Sequence, residues 1–193
     1  MSKLYQVFGE FDSAEEINLA AAGLKAEGDI TNIYVLAKEN GIEKEDVEDY
    51  VNGDNEELTD PMSAAIGKLT VELQEIDDVN CDIASGVSDY LKTRCYDKEL
   101  AKAIRSKVKS LADCVKALYE IAKKQVKKKS GHCAVCINPK KVFAYAEEYY
   151  LKAEPVKKNT PSKVDSEEGN LKQDAESEEI VVEEEVDNDG EVE

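Results

Sequence analysis

Asp60-Pro61 and Asn138-Pro139 each place a short polar side chain directly before a proline. Such a side chain caps the first free N–H groups of a helix, and proline fits the next position because it has no N–H to satisfy. Ser13-Ala14-Glu15-Glu16 has the form of a capping box, and Asp29 and Asp97 precede further apolar stripes of helical period. The stops match the starts. Gly28, Asn40-Gly41, Asn52-Gly53 and Gly131 supply residues that tolerate the left-handed backbone of a helix end. Punctuation this frequent favours short helices, and period-two alternation is nearly absent, so the expected fold class is all-α.

The apolar positions agree. Ile17, Ala20, Ala21 and Leu24 share one face, followed by Ile30, Ile33, Tyr34 and Ala37, and then by Val47, Tyr50 and Val51. Ala65, Ile66, Leu69, Leu73 and Ile76 form a fourth stripe, and Val87, Tyr90 and Leu91 suggest a helix ending near Tyr96. From Asp97, the register Leu100, Ile104, Val108, Leu111, Val115, Leu118 and Ala122 can run unbroken to about Lys129. Ser110 with Asp113 offers an alternative cap and a break. The final helix carries Val142, Phe143, Ala146, Tyr149 and Tyr150.

Charge divides the chain. The net formal charge of −18 splits into −16 over residues 1–87, +9 over 88–153 and −11 over 154–193. The expected organisation is an acidic N-terminal helical cluster (1–87), a basic C-terminal helical hairpin or bundle (88–153) and a disordered acidic tail (154–193). The tail's charge density and scarcity of large apolar groups do not repay the entropy of ordering. The expected role of the tail is solubilising; the sharper alternative is strand addition to a partner through Ile180-Val181-Val182.

His132 is the sole histidine, so a two-histidine zinc motif is excluded within one chain. His132, Cys133 and Cys136 supply three ligands of the four that zinc requires; a fourth would have to come from Cys95 or Cys114, and no metal site or cofactor is assigned. No glycine-rich phosphate loop is present, and no arrangement points to catalysis. Met1–Tyr5 lacks the plan of a signal peptide, and no stretch approaches the roughly 18 apolar residues of a membrane span. A cytoplasmic protein with free thiols is expected.

Two charged groups remain as candidate sites. Lys123, Lys124, Lys127 and Lys128 share a helical face that can engage phosphates in nucleic acid, or serve a partner or the acidic block; the plain alternative is favourable placement at a helix C-terminus. Glu43, Glu45, Asp46, Glu48 and Asp49, then Asp54, Glu56 and Glu57, can imitate a phosphate backbone towards a basic partner, against the plain alternative of a solvated face.

The order Ser88-Asp-Tyr-Leu91, a basic helix, Ala112-Asp-Cys-Val-Lys-Ala-Leu-Tyr-Glu-Ile121, a lysine-rich end, a cysteine-containing loop and Asn138–Tyr150 resembles the PcfK-like family of bacterial plasmids, integrative elements and phages. Val142-Phe143, Ala146 and Tyr149-Tyr150 match that family's final helix; Glu147-Glu148 stand where a histidine is usual. The resemblance spans residues 88–153, about a third of the chain. It implies a non-enzymatic, cytoplasmic mobile-element protein. Because the family includes anti-CRISPR proteins, it also implies a type II CRISPR effector nuclease, or its guide-RNA complex, as partner. The alternative is a conjugation or plasmid-maintenance accessory protein that binds DNA or a relaxation-complex partner.

Overall fold

A computed structural model describes residues 4–76, 80–125 and 138–152, all within one compact unit, Met1–Pro155. Among the described residues there are eight helices and no strand: α1 (Ala14–Glu27), α2 (Ile30–Glu39), α3 (Lys44–Asn52), α4 (Pro61–Leu73), α5 (Cys81–Arg94), α6 (Lys98–Arg105), α7 (Leu111–Gln125) and α8 (Pro139–Leu151). The all-α expectation holds for them. The Gly131 stop and the acidic tail from residue 154 lie outside the described residues.

The capping chemistry sets the boundaries. Ser13 Oγ accepts from the Glu16 N–H at 3.2 Å, while Glu16 Oε2 reaches back to the Asp12 N–H at 2.8 Å, one residue earlier than in the usual reciprocal pair. Asp60 Oδ1 accepts from the N–H groups of Met62 (2.7 Å) and Ser63 (3.2 Å), and Asn138 Oδ1 from that of Lys140 (2.9 Å). Asp29 and Asp97 cap α2 and α6 in the same way. Gly28 (φ 75°) and Gly53 (φ 87°) close α1 and α3 in the left-handed region.

The long register that begins at Asp97 does not persist. α6 ends at Arg105, and Val108, in step with the apolar stripe, is 60% exposed. Ser110 Oγ accepts from the Asp113 N–H at 3.2 Å, so the alternative cap is the one used, and α7 starts afresh.

Two cores result. Ile17, Ile33, Leu36, Val47, Tyr50 and Leu58 gather α1–α3 and the loop after α3; Leu69, Leu91, Leu100, Ile104, Leu111 and Tyr150 gather α4–α8. α4 serves both, with Ala64 in the first core and Ala65 and Leu69 in the second. The charge step between residues 87 and 88 falls inside α5, so acidic and basic segments share helices and a core.

α2 meets α4 backbone to backbone. A Cβ on Gly41 (φ 68°) would lie 2.4 Å from the Gly67 carbonyl oxygen, and one on Gly67 would lie 2.2 Å from the Asn40 carbonyl oxygen. Neither obstacle is a flexible side chain, so α2 and α4 would have to separate. Gly23, exposed in α1, has open space where a Cβ would go. Gly67→Ala is expected to destabilise by about 3 kcal/mol through forced repacking, and Gly23→Ala to stabilise by about 0.5–1 kcal/mol through helix propensity. Urea unfolding followed by circular dichroism distinguishes the two signs.

Candidate functional site

The acidic candidates lie on α3 and the loop behind it. Glu43, Glu45 and Asp49 are exposed, and Asp46 and Glu48 half-buried. Glu48 pairs with Lys44 at 2.6 Å, a surface pair of little energetic weight. The Asp49 carbonyl accepts from the N–H groups of Gly53, Asp54 and Asn55, which folds the loop back against the helix. Leu58 then plugs the core at 2% exposure, and the Asn18 side chain clamps Thr59, donating to its carbonyl (2.9 Å) and accepting from its N–H (3.0 Å). These anchors hold Asp54, Glu56 and Glu57 exposed beside α3. All eight predicted carboxylates thus lie on or beside α3, with Asp46 beside Glu56 and Glu57 at one hollow and Glu43 at another; their negative potential suits a cationic partner.

The basic candidates are only partly described. Lys123 and Lys124 are exposed on the last turn of α7, where a cation complements the helix dipole. Lys123 Nζ donates to Glu120, and Lys124 also lowers the Glu120 pKa through its charge. Lys127 and Lys128 lie outside the described residues, as do His132, Cys133 and Cys136. Among the described residues no group of three or more His, Cys, Asp or Glu side chains is placed to hold a metal. Burial pushes the Cys95 thiol up to about 11 and the Cys114 thiol up to about 12, so both remain protonated and unreactive at neutral pH.

The densest polar cluster escaped the sequence reading. Lys68, fully buried on α4, donates to the carbonyls of Ser106 (2.5 Å) and Lys109 (2.9 Å), and pairs with Glu10 (2.6 Å) and Glu72 (3.6 Å). Glu72 Oε2 accepts from the Leu111 N–H at 2.7 Å, and Asp12 Oδ1 from the Lys107 N–H at 2.7 Å. The backbone freed between α6 and α7 is therefore satisfied by side chains from the acidic half. Lys109 continues the chain of contacts: its Nζ donates to the carbonyls of Tyr149 (2.8 Å), Tyr150 (2.7 Å) and Lys152, closing the C-terminus of α8.

Arg105, 1% exposed, donates through Nη2 to Asn40 Oδ1 at 2.6 Å. Its Nε and Nη1 groups have no hydrogen bond of ordinary geometry among the described residues, and the Tyr5 hydroxyl lies close enough for the two side chains to interact. Burial lowers the Arg105 pKa, but a guanidinium starts so high that it stays charged at neutral pH. Burial raises the Glu72 pKa, with Lys68 and the Leu111 N–H opposing it. The one sequence signal was Lys68 four residues before Glu72, on a helix whose neighbouring positions are apolar.

Among the described residues the protein is all-helical. No family model, curated protein or solved structure matches the chain. No described helix is long and apolar enough to cross a membrane.

Lys68→Met leaves Glu10, Glu72 and two carbonyls without their cation, and is expected to cost about 3–5 kcal/mol. Glu72→Gln tests the sign of the carboxyl shift. A folded-state pKa above the ordinary value of about 4.3 means the folded protein binds the proton more tightly, so ionisation costs stability as pH rises. The stability of wild type relative to Glu72→Gln should therefore fall from pH 4 to pH 7, read from denaturant midpoints at each pH. A rise over that interval contradicts the assignment.

Proposed function

We propose that this chain is a non-enzymatic inhibitor, of the anti-CRISPR type, that binds a type II CRISPR effector nuclease in the bacterial cytoplasm and blocks DNA binding or cleavage. The observation that carries the reading is the anchored acidic surface of α3 and residues 54–57. RNA-guided nucleases hold nucleic acid in a positively charged channel and read a short flanking motif with arginines. A fixed array of carboxylates competes for such a surface, gaining attraction at long range and register at contact. The similarity of residues 88–153 to the PcfK-like family supports a mobile-element origin. In this reading the acidic N-terminal cluster faces the nuclease, and the basic C-terminal bundle and acidic tail supply further contacts.

A second reading rests on the exposed Lys123 and Lys124 at the end of α7: a conjugation or maintenance accessory protein whose basic segment, including Lys127 and Lys128, binds DNA.

Cleavage of a target duplex by purified effector and guide, titrated with the full chain, tests the first reading. Inhibition is expected, and the triple substitution Glu43→Lys, Glu45→Lys, Asp49→Lys should weaken it at least tenfold with thermal unfolding unchanged. Undiminished cleavage with no complex in gel filtration refutes inhibition. Salt-dependent binding of labelled DNA, lost when Lys123, Lys124, Lys127 and Lys128 become alanine, would establish the second reading.

A further inference from the structure

Two hollows, of about 450 and 400 Å3, open along the exposed side of α7, and both are lined by Val115 and Tyr119. They adjoin at these two residues, and the surface they make follows the helix from Ala112 to Ala122, about 15 Å at 1.5 Å per residue; we call it the α7 groove. Its lining is largely apolar: Ile76 at one end, Val115, Tyr119 and Ile83 in the middle, and Val142 and Phe143 at the other end. Ile83 is 42% exposed and Tyr119 37%, so this apolar surface faces solvent. The far wall is braced, because the Phe143 ring stacks on Tyr90 with centroids 4.2 Å apart.

The banks differ in charge. Lys116 and Lys123 lie about one turn either side of Tyr119 on the same stripe of α7, and exposed Lys140 follows Pro139 at the start of α8. The opposite bank is acidic: exposed Glu75 beyond the end of α4 and Asp82 on the first turn of α5 line it, with Glu72 buried behind them. Lys116 pairs with Asp113 and Lys123 with Glu120, both within α7 and with side-chain exposures from 56% to 75%. Pairs that exposed are worth little, so both ammonium groups can turn to a partner at small cost.

We propose that this groove is the docking site for an amphipathic helix of a partner protein that carries carboxylates along one flank. About ten residues, or three turns, match the groove's length, with apolar anchors at i, i+3 or i+4 and i+7. Carboxylates on the α7–α8 side meet Lys116, Lys123 and Lys140. The solvent-facing apolar lining favours a protein helix over nucleic acid, whose phosphates gain nothing from Ile83 and Val142. This assignment uses none of the carboxylates of α3 and stands apart from the nuclease reading.

Selection of a random 16-residue peptide display library on the immobilised full chain tests it. Enriched peptides should show the i, i+3/i+4, i+7 apolar pattern with carboxylates along one flank. In fluorescence anisotropy, a labelled enriched peptide should bind at least tenfold more weakly to the double variant Ile83→Asp, Tyr119→Asp. It should also weaken at least tenfold with Lys116→Glu, Lys123→Glu, Lys140→Glu, and a version with lysine in place of its glutamates should recover binding to that triple variant. Wild-type thermal unfolding in both variants excludes misfolding as the cause. The proposal is overturned by absence of a consensus, by consensus peptides without carboxylates, or by unchanged binding to the double variant. It is equally overturned by a dimer in sedimentation that Ile83→Asp, Tyr119→Asp dissolves, which would make a second copy the occupant. DNA binding that needs the three lysines but not Ile83 or Tyr119 would assign the surface to nucleic acid instead.

Discussion

The ammonium group of Lys68 is the contact on which the arrangement of the other helices depends. It enters from α4, the one helix that serves both cores, and takes two carbonyls from the interruption between α6 and α7. An ammonium has three protons, and its partners here are two carbonyls and two carboxylates, so its charge and donors are fully used. Without these acceptors, burying the cation would cost several kcal/mol. Without the cation, the two carbonyls would be stranded in a dry interior. The helix break and the buried charge are thus two halves of one solution. Lys109, whose own carbonyl is held by Lys68, in turn closes α8, so the consequence reaches the last described helix.

The same contacts explain how halves of opposite charge share one unit. Glu10, Asp12 and Glu16 from the N-terminal segment meet Lys68 and Lys107. Lys68 itself lies in the acidic half, and the pairs that cross the halves, Lys107 with Asp12 and Glu16, are 3.7 Å apart and 43–49% exposed, so they offset little charge. The halves are joined by the hydrogen bonds of Lys68, Glu72 and Asp12 to the backbone that follows α6. The exposed charge is mixed along each helix: carboxylates predominate on α3 and residues 54–57, where Lys44 pairs with Glu48, and lysines on α7 are interleaved with Asp113 and Glu120. Exposed charge arranged in this way selects partners and steers encounter more than it adds to stability.

Elements with strong local chemistry were legible in the sequence. Asp60-Pro61, Asn138-Pro139, Ser13, Asp29, Asp97, Gly28 and Gly53 act within a few residues of their position, so their roles follow from local rules. The pair α6–α7 marks where such rules stop. Leu100 to Ala122 keep an apolar register that permits one helix, and only Ser110 hinted otherwise. Lys68, Glu72 and Asp12, which satisfy the freed backbone of the break, lie between 38 and 95 residues away in sequence. No pattern within α6 or α7 records them. The contact of Gly41 with Gly67 is hidden for the same reason. Of the candidate surfaces, the α3 carboxylates were visible as a charge run, whereas the groove along α7 is made by side chains of three helices and the α4 end, and exists only once they are packed.

A helix running unbroken from Lys98 to Gln125 would be about 42 Å long, while a compact unit of about 150 residues has a radius of gyration near 15 Å. Such a helix would protrude beyond the core and leave part of its apolar stripe bare. Interrupting it lets Leu100 and Ile104 and then Leu111, Cys114 and Leu118 fall into the same core as α4, α5 and α8. Each buried leucine or isoleucine contributes about 1.5–3 kcal/mol, so several such side chains outweigh the helical hydrogen bonds forgone at the break, provided the freed backbone groups find partners. Lys68, Glu72 and Asp12 meet that condition for Ser106, Lys107, Lys109 and Leu111. The outward stripe of α7 is left free of the core, and its lysines, with Tyr119 between them, face solvent and are able to meet another molecule.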